Sequence, residues 1–293
     1  RFVGQLDTPR IAGEGIPGNA AVMRPVLARI LADAMLAAGA EVRIGCTIRS
    51  LRQYADGVDV EMSDGSKRRY DLVIGADGLA SRTRELIFPQ APKPRYLGQR
   101  TWLAVLPRLP EFERTTIWFG PGLKAGVDPV ADDRMYLFLN ETSDDDREPP
   151  AEQHLALLRQ LIARFPSPRL QRATYALDAS SRILYKPLSV LLLPQPWHTG
   201  RVALIGDAVH VTTPHLASGV CMGVEDGIVL VEALTSEESL AHALQRFQTR
   251  RWQRCRMVLE NSARLGEIEV ADGDRTEHLR IMQDSFRALA EAY

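Results

Sequence analysis

Residues 203–227 read ALIGDAVHVTTPHLASGVCMGVEDG. Positions 203–205 are apolar, as in a buried strand, and Gly206-Asp207 ends the run. Asp207 at the carboxyl end of such a strand can accept hydrogen bonds from a polyol. A long helix is expected from about Gly219 to Leu234. Gly219 and Gly223 let backbone approach a ligand closely at its start, where free N–H groups and the helix dipole favour negative charge. On its own, a Gly-Asp pair after a strand reads more simply as a turn with a helix cap.

The same design occurs upstream. Residues 71–86, DLVIGADGLASRTREL, carry the continuous apolar run Leu72, Val73, Ile74 of a strand covered on both faces. The run ends in Gly75 and Asp77-Gly78, and the segment from Ser81 looks helical. In open α/β sheets, ligands bind at the carboxyl ends of the strands. Between the two motifs lie strand-like segments: TWLAVL (101–106), TTIWF (115–119), RMYLFLN (134–140) and RILYKPLSVLLL (182–193). The acidic run at 141–148 reads as a solvated turn, and an amphipathic helix at 152–165 stops at Pro166.

Upstream of both motifs, Val26, Leu27, Ile30, Leu31, Ala34, Met35 and Ala38 recur with a helical period, between Pro25 and Gly39. EVRIG (41–45) reads as a short strand. Val58, Val60 and Met62 alternate with Asp59 and Glu61 between Asp56-Gly57 and Asp64-Gly65, the pattern of a hairpin or meander. Downstream, residues 240–264 form an arginine-rich helix with Arg246, Arg250 and Arg254 on one solvated or ion-paired face. The order predicts an α/β domain interrupted by a β-rich insert.

Composition narrows the function classes. The 293 residues hold 36 Lys plus Arg against 37 Asp plus Glu, a balance that argues against a nucleic-acid binder or a polybasic membrane anchor. No apolar run approaches the roughly 20 residues of a membrane span. Cys46, Cys221 and Cys255 lie far apart without a CxxC pair, which fits a reducing, cytoplasmic setting. No metal-ligand pattern is seen. The chain opens on Arg1 rather than Met, so a missing N-terminal segment is an expectation to carry forward.

Taken in this order, the two motifs resemble the FAD-dependent aromatic hydroxylases, the single-component flavoprotein monooxygenases of the p-hydroxybenzoate hydroxylase type. The likeness runs from about Gly13 to Arg264. Asp77, Gly78, Ser81 and Arg84 match that family's DG motif. Gly206-Asp207 matches its GD motif, whose Asp holds the FAD ribityl chain. Pro214 matches a proline near the reactive edge of the flavin, and Arg24 an arginine that reaches the FAD. Gly219, Val220 and Cys221 fall where the family's helix start meets the flavin. Where the family has Gly-Gln-Gly, one residue, then Asn, this chain has Ala217-Ser218-Gly219-Val220-Cys221. Backbone contacts survive such a change; the Asn side-chain contact does not carry over to Cys221. The resemblance also implies an N-terminal βαβ unit with a GxGxxG loop, and the expectation is that this chain lacks both.

The fold so implied is α/β: a Rossmann-like, p-hydroxybenzoate hydroxylase-like FAD-binding domain with an inserted β-sheet substrate domain. The expected parts are 1–88 and 186–265 for FAD, 89–185 for substrate, and a C-terminal helical segment at 266–293. The implied activity is hydroxylation of an aromatic or heteroaromatic ring with NAD(P)H and O2, through a flavin C4a-hydroperoxide. NAD(P)H is a transient co-substrate, and the choice between NADH and NADPH stays open. Partners are a small aromatic substrate and O2, with no nucleic acid and no membrane; a homodimer is compatible. His215, next to Pro214, is the candidate base, while His210 reads as a structural histidine bonding nearby backbone. Trp102, Trp118, Tyr136 and Phe138 in the β block read mostly as core, with room for one or two in an aromatic pocket. Two alternatives stand beside this reading: a catalytically incomplete remnant acting as a binding domain, and a related flavin-dependent reductase.

Overall fold

The computed structural model of the chain describes residues 4–237 and 239–293; Arg1 lies outside them. Helix α1 (Arg24–Ala37) begins at Arg24-Pro25 and ends before Gly39, which takes φ +85°. Its apolar period is present, yet none of its side chains is buried. The strand expected at 41–45 does not form: Gly45 turns the chain at φ +74° and Ile44 stands 94% exposed, so no sheet face covers it. A meander follows instead, of β1 (Ile48–Gln53), β2 (Val58–Met62) and β3 (Lys67–Tyr70), antiparallel throughout. Gly65, at φ +82°, makes the turn expected at Asp64-Gly65. Strand β4 (Val73–Gly75) buries Val73 and Gly75 but leaves Ile74 exposed, so it is covered on one face rather than two. Helix α2 (Arg82–Ile87) closes this part.

The β block holds β5 (Arg95–Pro107), β6 (Thr116–Gly120), β7 (Leu123–Pro129) and β8 (Arg134–Thr142). Two helices, α3 (His154–Ala163) and α4 (Pro168–Thr174), lead to β9 (Ile183–Leu192). Pro166 ends the α3 region as expected, and Ser167 caps α4 by accepting from the Leu170 N–H. One face of the sheet carries Trp102, Leu106, Leu137 and Leu139, which pack with Leu158, Ile162 and Leu170 of the helices. Each such side chain contributes roughly 1.5–3 kcal/mol on burial. The Trp102 indole donates to Glu141 Oε1 at 2.7 Å, so its polar atom is met inside the core.

The last part holds β10 (His198–Thr199), β11 (Val202–Leu204), β12 (His210–Val211) and helices α5 (Gly219–Ser236), α6 (Leu240–Val270) and α7 (Arg275–Leu289). Strand order in the sheets is β1-β2-β3, β10-β11-β4 and β12-β9-β5-β8-β7-β6.

Two compact units result. Unit one comprises the residues up to Glu41 with Tyr96–Leu188 and Gly266–Leu279; unit two comprises Val42–Arg95, Ser189–Leu265 and Arg280–Tyr293. The chain thus leaves unit two after Arg95 and re-enters it at Ser189. Contrary to expectation, the spacing G-x-G-x-x-G does occur, as Gly13-Glu14-Gly15-Ile16-Pro17-Gly18. It lies in turns and bends with neither a strand before it nor a helix on it, so it lacks the context of a dinucleotide loop.

Candidate functional site

In unit two, β4 and β11 pair in parallel, with Val73 opposite Val202, Ile74 opposite Ala203 and Gly75 opposite Leu204. The Ile205 N–H donates to the Gly75 carbonyl at 3.0 Å. The register brings the two motifs out side by side at one carboxyl edge, where parallel sheets bind ligands.

The first turn is held by its own carboxylate. Asp77 Oδ1 accepts from Ser81 Oγ at 2.5 Å, and Oδ2 from the Thr83 N–H at 2.8 Å and Thr83 Oγ1 at 3.0 Å. Burial opposes ionisation of Asp77, but these hydrogen bonds outweigh it and hold the carboxyl below its ordinary range. Ser81 Oγ also caps α2 by accepting from the Arg84 N–H at 2.9 Å. The buried Arg84 guanidinium donates to the carbonyls of Leu79 at 2.7 Å and Ala208 at 2.9 Å, which ties the first turn to the second. Gly78 takes φ +79°, a conformation that a side chain would strain.

The second turn is a short 3-10 segment, Gly206–Ala208, with Gly206 at φ +60° and Asp207 exposed. Its anchor is Asp226, wholly buried on α5. Oδ2 of Asp226 accepts from the Gly206 N–H at 2.8 Å and lies 2.6 Å from His210 Nε2; Oδ1 accepts from Arg251 Nε at 2.7 Å. Glu225 Oε2 takes Arg251 Nη1 at 2.7 Å and Arg254 Nε at 2.8 Å. His210 therefore bonds a carboxylate, not backbone. Burial disfavours its charged form, but the Cys255 sulfur and the Asp226 carboxylate outweigh this and raise its pKa to about 10. His210, Asp226 and Cys255 bring ligand-type atoms within 4.8 Å of one another. The Arg251 guanidinium and the protonated His210 ring already stand on that carboxylate, which leaves it no charge for a metal ion.

The chain then reaches α5 through the turn Pro214–Leu216. Pro214 is exposed and His215 is buried, with Nδ1 2.8 Å from Thr213 Oγ1. Ala217 adopts the left-handed region at φ +51°. Ser218 turns its hydroxyl to the Leu216 carbonyl at 2.7 Å, so no side chain caps α5. Gly219 opens the helix half-buried, and Val220 and Cys221 are exposed on its first turn. The uncapped N–H groups there suit an electron-rich edge of a ligand. Arg24 belongs to unit one, where it is exposed and its charge acts on Tyr136. Trp102 is core and Trp118 packs against it, whereas Tyr136 and Phe138 lie on the opposite sheet face and are half-buried.

Sequence reasoning missed Asp226 and Arg251. The signal was available: Arg251 interrupts the buried stripe of Leu244, Phe247, Cys255 and Val258 on α6, where a charge needs a partner. The residues present fit the FAD that the resemblance implies. Asp207 is an exposed acceptor at a strand end for a polyol, and the bare start of α5 is a donor set for the flavin's carbonyl edge.

Comparison with known proteins agrees. The family model described as "FAD binding domain" matches residues 17–262. The chain is 32% identical over 253 residues to "Aurachin C monooxygenase/isomerase" of Stigmatella aurantiaca, covering 84% of this chain and 62% of that protein. It is 30% identical over 228 residues to "FAD-dependent urate hydroxylase" of Klebsiella oxytoca, covering 73% of this chain and 56% of that protein. A crystal structure of Klebsiella pneumoniae HpxO complexed with FAD and uric acid superposes with a TM-score of 0.79 at 25% identity, over 90% of this chain and 72% of that one. The chain thus spans about three fifths of the length of these two relatives. With the family model covering most of its length, the chain belongs to the FAD-dependent aromatic hydroxylase family.

Proposed function

We propose that this chain carries the ribityl and ring side of an FAD site, with the substrate sheet, of a monooxygenase that hydroxylates an aromatic or heteroaromatic ring using NAD(P)H and O2. The in-register pairing of β4 with β11 carries this reading, because it sets both motifs at one edge beside the open start of α5. When bound, FAD supplies the redox and oxygen chemistry. Asp207 would hold the ribityl chain, and the N–H groups of Gly219, Val220 and Cys221 would stabilise negative charge on the flavin ring. Gly78, Gly206 and Asp77 shape the turns around it. Pro214 would present its exposed ring to the reacting centre. Arg24 would reach the cofactor, with residues 1–88 and 186–265 as the FAD-binding parts and 89–185 as the substrate part. A cytoplasmic setting and a small aromatic substrate complete the reading; a homodimer fits it. Among the described residues, no helix is long and apolar enough to cross a membrane.

The test is purification of the full-length protein. It should be yellow with stoichiometric FAD, and should insert one atom from isotopically labelled O2 into an aromatic product. A protein with no flavin affinity would place the chain among binding remnants. Flavin with C=C reduction and no label incorporation would place it among reductases. His215→Ala separates two roles by stopped-flow. A base is needed only for hydroxylation, so that step alone would slow by about a hundredfold. A residue that merely braces the Pro214 turn would alter flavin reduction and hydroxylation together.

A further inference from the structure

Asp226 is the inner end of a chain of charged hydrogen bonds that runs outward through unit two. The first link is the Gly206 N–H, which donates to Asp226 Oδ2 at 2.8 Å. Arg251 then donates from Nε to Asp226 Oδ1 and from Nη1 to Glu225 Oε2, both at 2.7 Å. Glu225 Oε2 also accepts from Arg254 Nε at 2.8 Å, and Oε1 from Arg254 Nη2 at 3.0 Å, so this carboxylate is gripped on both oxygens. The same guanidinium reaches the end of α7. Its Nη2 donates to the Leu289 carbonyl at 2.8 Å and its Nη1 to the Ala288 carbonyl at 3.0 Å. The last turn of a helix runs short of internal donors, and a cation there meets the negative end of the helix dipole.

The sequence makes this chain possible by spacing. Arg251 and Arg254 lie three residues apart on α6 and so share one face, while Glu225 and Asp226 are adjacent on α5. The Arg254 and Glu225 side chains are only 11% and 12% exposed, so water is a poor substitute for either partner. We propose that the last turn of α7 is a working part of the cofactor site: through Arg254, Glu225, Arg251 and Asp226 it positions the Gly206–Ala208 turn, and with it Asp207. Arg254 is thus a positioning residue, although four hydrogen bonds separate it from the turn. The inference rests on the FAD reading, which gives the aim of Asp207 its consequence. Contiguity does not by itself establish coupling, so coupling is the quantity to measure.

Two experiments on the full-length protein do so. Without flavin, hydrogen exchange of the Gly206 amide, followed by NMR, should quicken by about tenfold in Arg254→Met. Amides of the β1-β2-β3 meander, in the same unit, should keep the parent rate. Arg254→Lys should give a smaller increase, because one ammonium cannot span Glu225 and the α7 carbonyls as the guanidinium fork does; it also stands in should Arg254→Met fail to fold. In FAD titrations, Arg254→Met should lower affinity by about fivefold in the parent and by less than about twofold in an Asp207→Ala background, the non-additivity of two residues acting through one turn. A Gly206 amide unchanged in both variants, exchange that quickens equally in the meander, or additive losses of FAD affinity overturns the proposal, and Arg254 then only secures α7. A protein that binds no FAD but shows the Gly206 response overturns the proposed function and not this inference; one that binds FAD without the response does the reverse.

Discussion

Each unit buries a carboxylate between a histidine and a cation, and the two sites end differently. In unit two, Asp226 sits between His210 and Arg251 and also takes the Gly206 N–H. In unit one, Glu269 sits between His278 and Lys124, with Gln99 Nε2 at 3.4 Å. Around Asp226 the donors close on the carboxylate and fix a loop. Around Glu269 the neighbouring Gln99, Thr101 and Asn140 keep acceptors unmet. An acid, a histidine and a base thus make a brace in one place and, in the other, a buried cluster beside unmet acceptors. What separates them is whether the surrounding polar groups are satisfied.

The sharpest way to break this comparison is to remove the cation from each site. Arg251→Met should cost about 3–5 kcal/mol, the usual consequence of leaving a buried carboxylate short of its partner. Lys124→Met should cost less, about 1–3 kcal/mol, because Lys124 bonds the single carboxylate of Glu269, whereas Arg251 bridges Asp226 and Glu225. Urea unfolding of both variants measures the difference, and equal losses would make both sites braces. Next in size is Asp207→Ala, which removes a charge-assisted acceptor worth roughly 1.5–3 kcal/mol. FAD titration should show affinity falling about tenfold to a hundredfold with the fold intact. Unchanged affinity would make Asp207 a turn residue only.

The brace should also respond to pH. Its histidine, His210, has a raised folded-state pKa, so its contribution to stability is complete below the unfolded value of about 6.5. That contribution is lost as pH rises through its folded-state value of about 10. The parent should lose thermal stability relative to His210→Gln between these limits; parallel melting curves across that range would remove the ion pair from the account. The smallest effect lies on the exposed face of α5, where Val224 and Ile228 follow Val220 at helical spacing. Val224→Thr with Ile228→Gln should change unfolding stability by no more than about 0.5 kcal/mol while reducing aggregation in light scattering. A larger loss of stability would show that this face is packed in solution.

Much of this architecture was legible in the residues. The apolar runs that end at Gly75 and at Gly206 identified the paired strands, although β4 leaves Ile74 exposed and is covered on one face only. The insert was legible in its strand-like segments, since Trp102 to Leu106 and Met135 to Leu139 alternate core and outer positions. Other features depend on contacts that no local pattern records. EVRIG has strand-forming residues but no neighbour to pair with, so Ile44 is left in solvent. Arg246, Arg250 and Arg254 drew notice as a charged face, and they do pair with Glu237, Glu232 and Glu225. Arg251, one residue out of that register, is the one that enters the core. The glycine spacing at 13–18 shows the converse: letters that match a motif say little without the strand and helix that give them a task.

The β4–β11 pairing sets a constraint on how the chain is made. Gly75 and Leu204 are opposite each other in the sheet but about 130 residues apart along the chain. At roughly 5–20 residues per second, β4 would leave the ribosome about 6–26 seconds before its partner exists. The insert shortens that wait in space if not in time. Its first and last strands, β5 and β9, are neighbours in one sheet, so folding of the insert draws the ends of the intervening loop together before β11 arrives. Assembly of the two turns should therefore follow the β block. A lesion in the core around Trp102 would then appear first as slow recovery of the cofactor site during refolding.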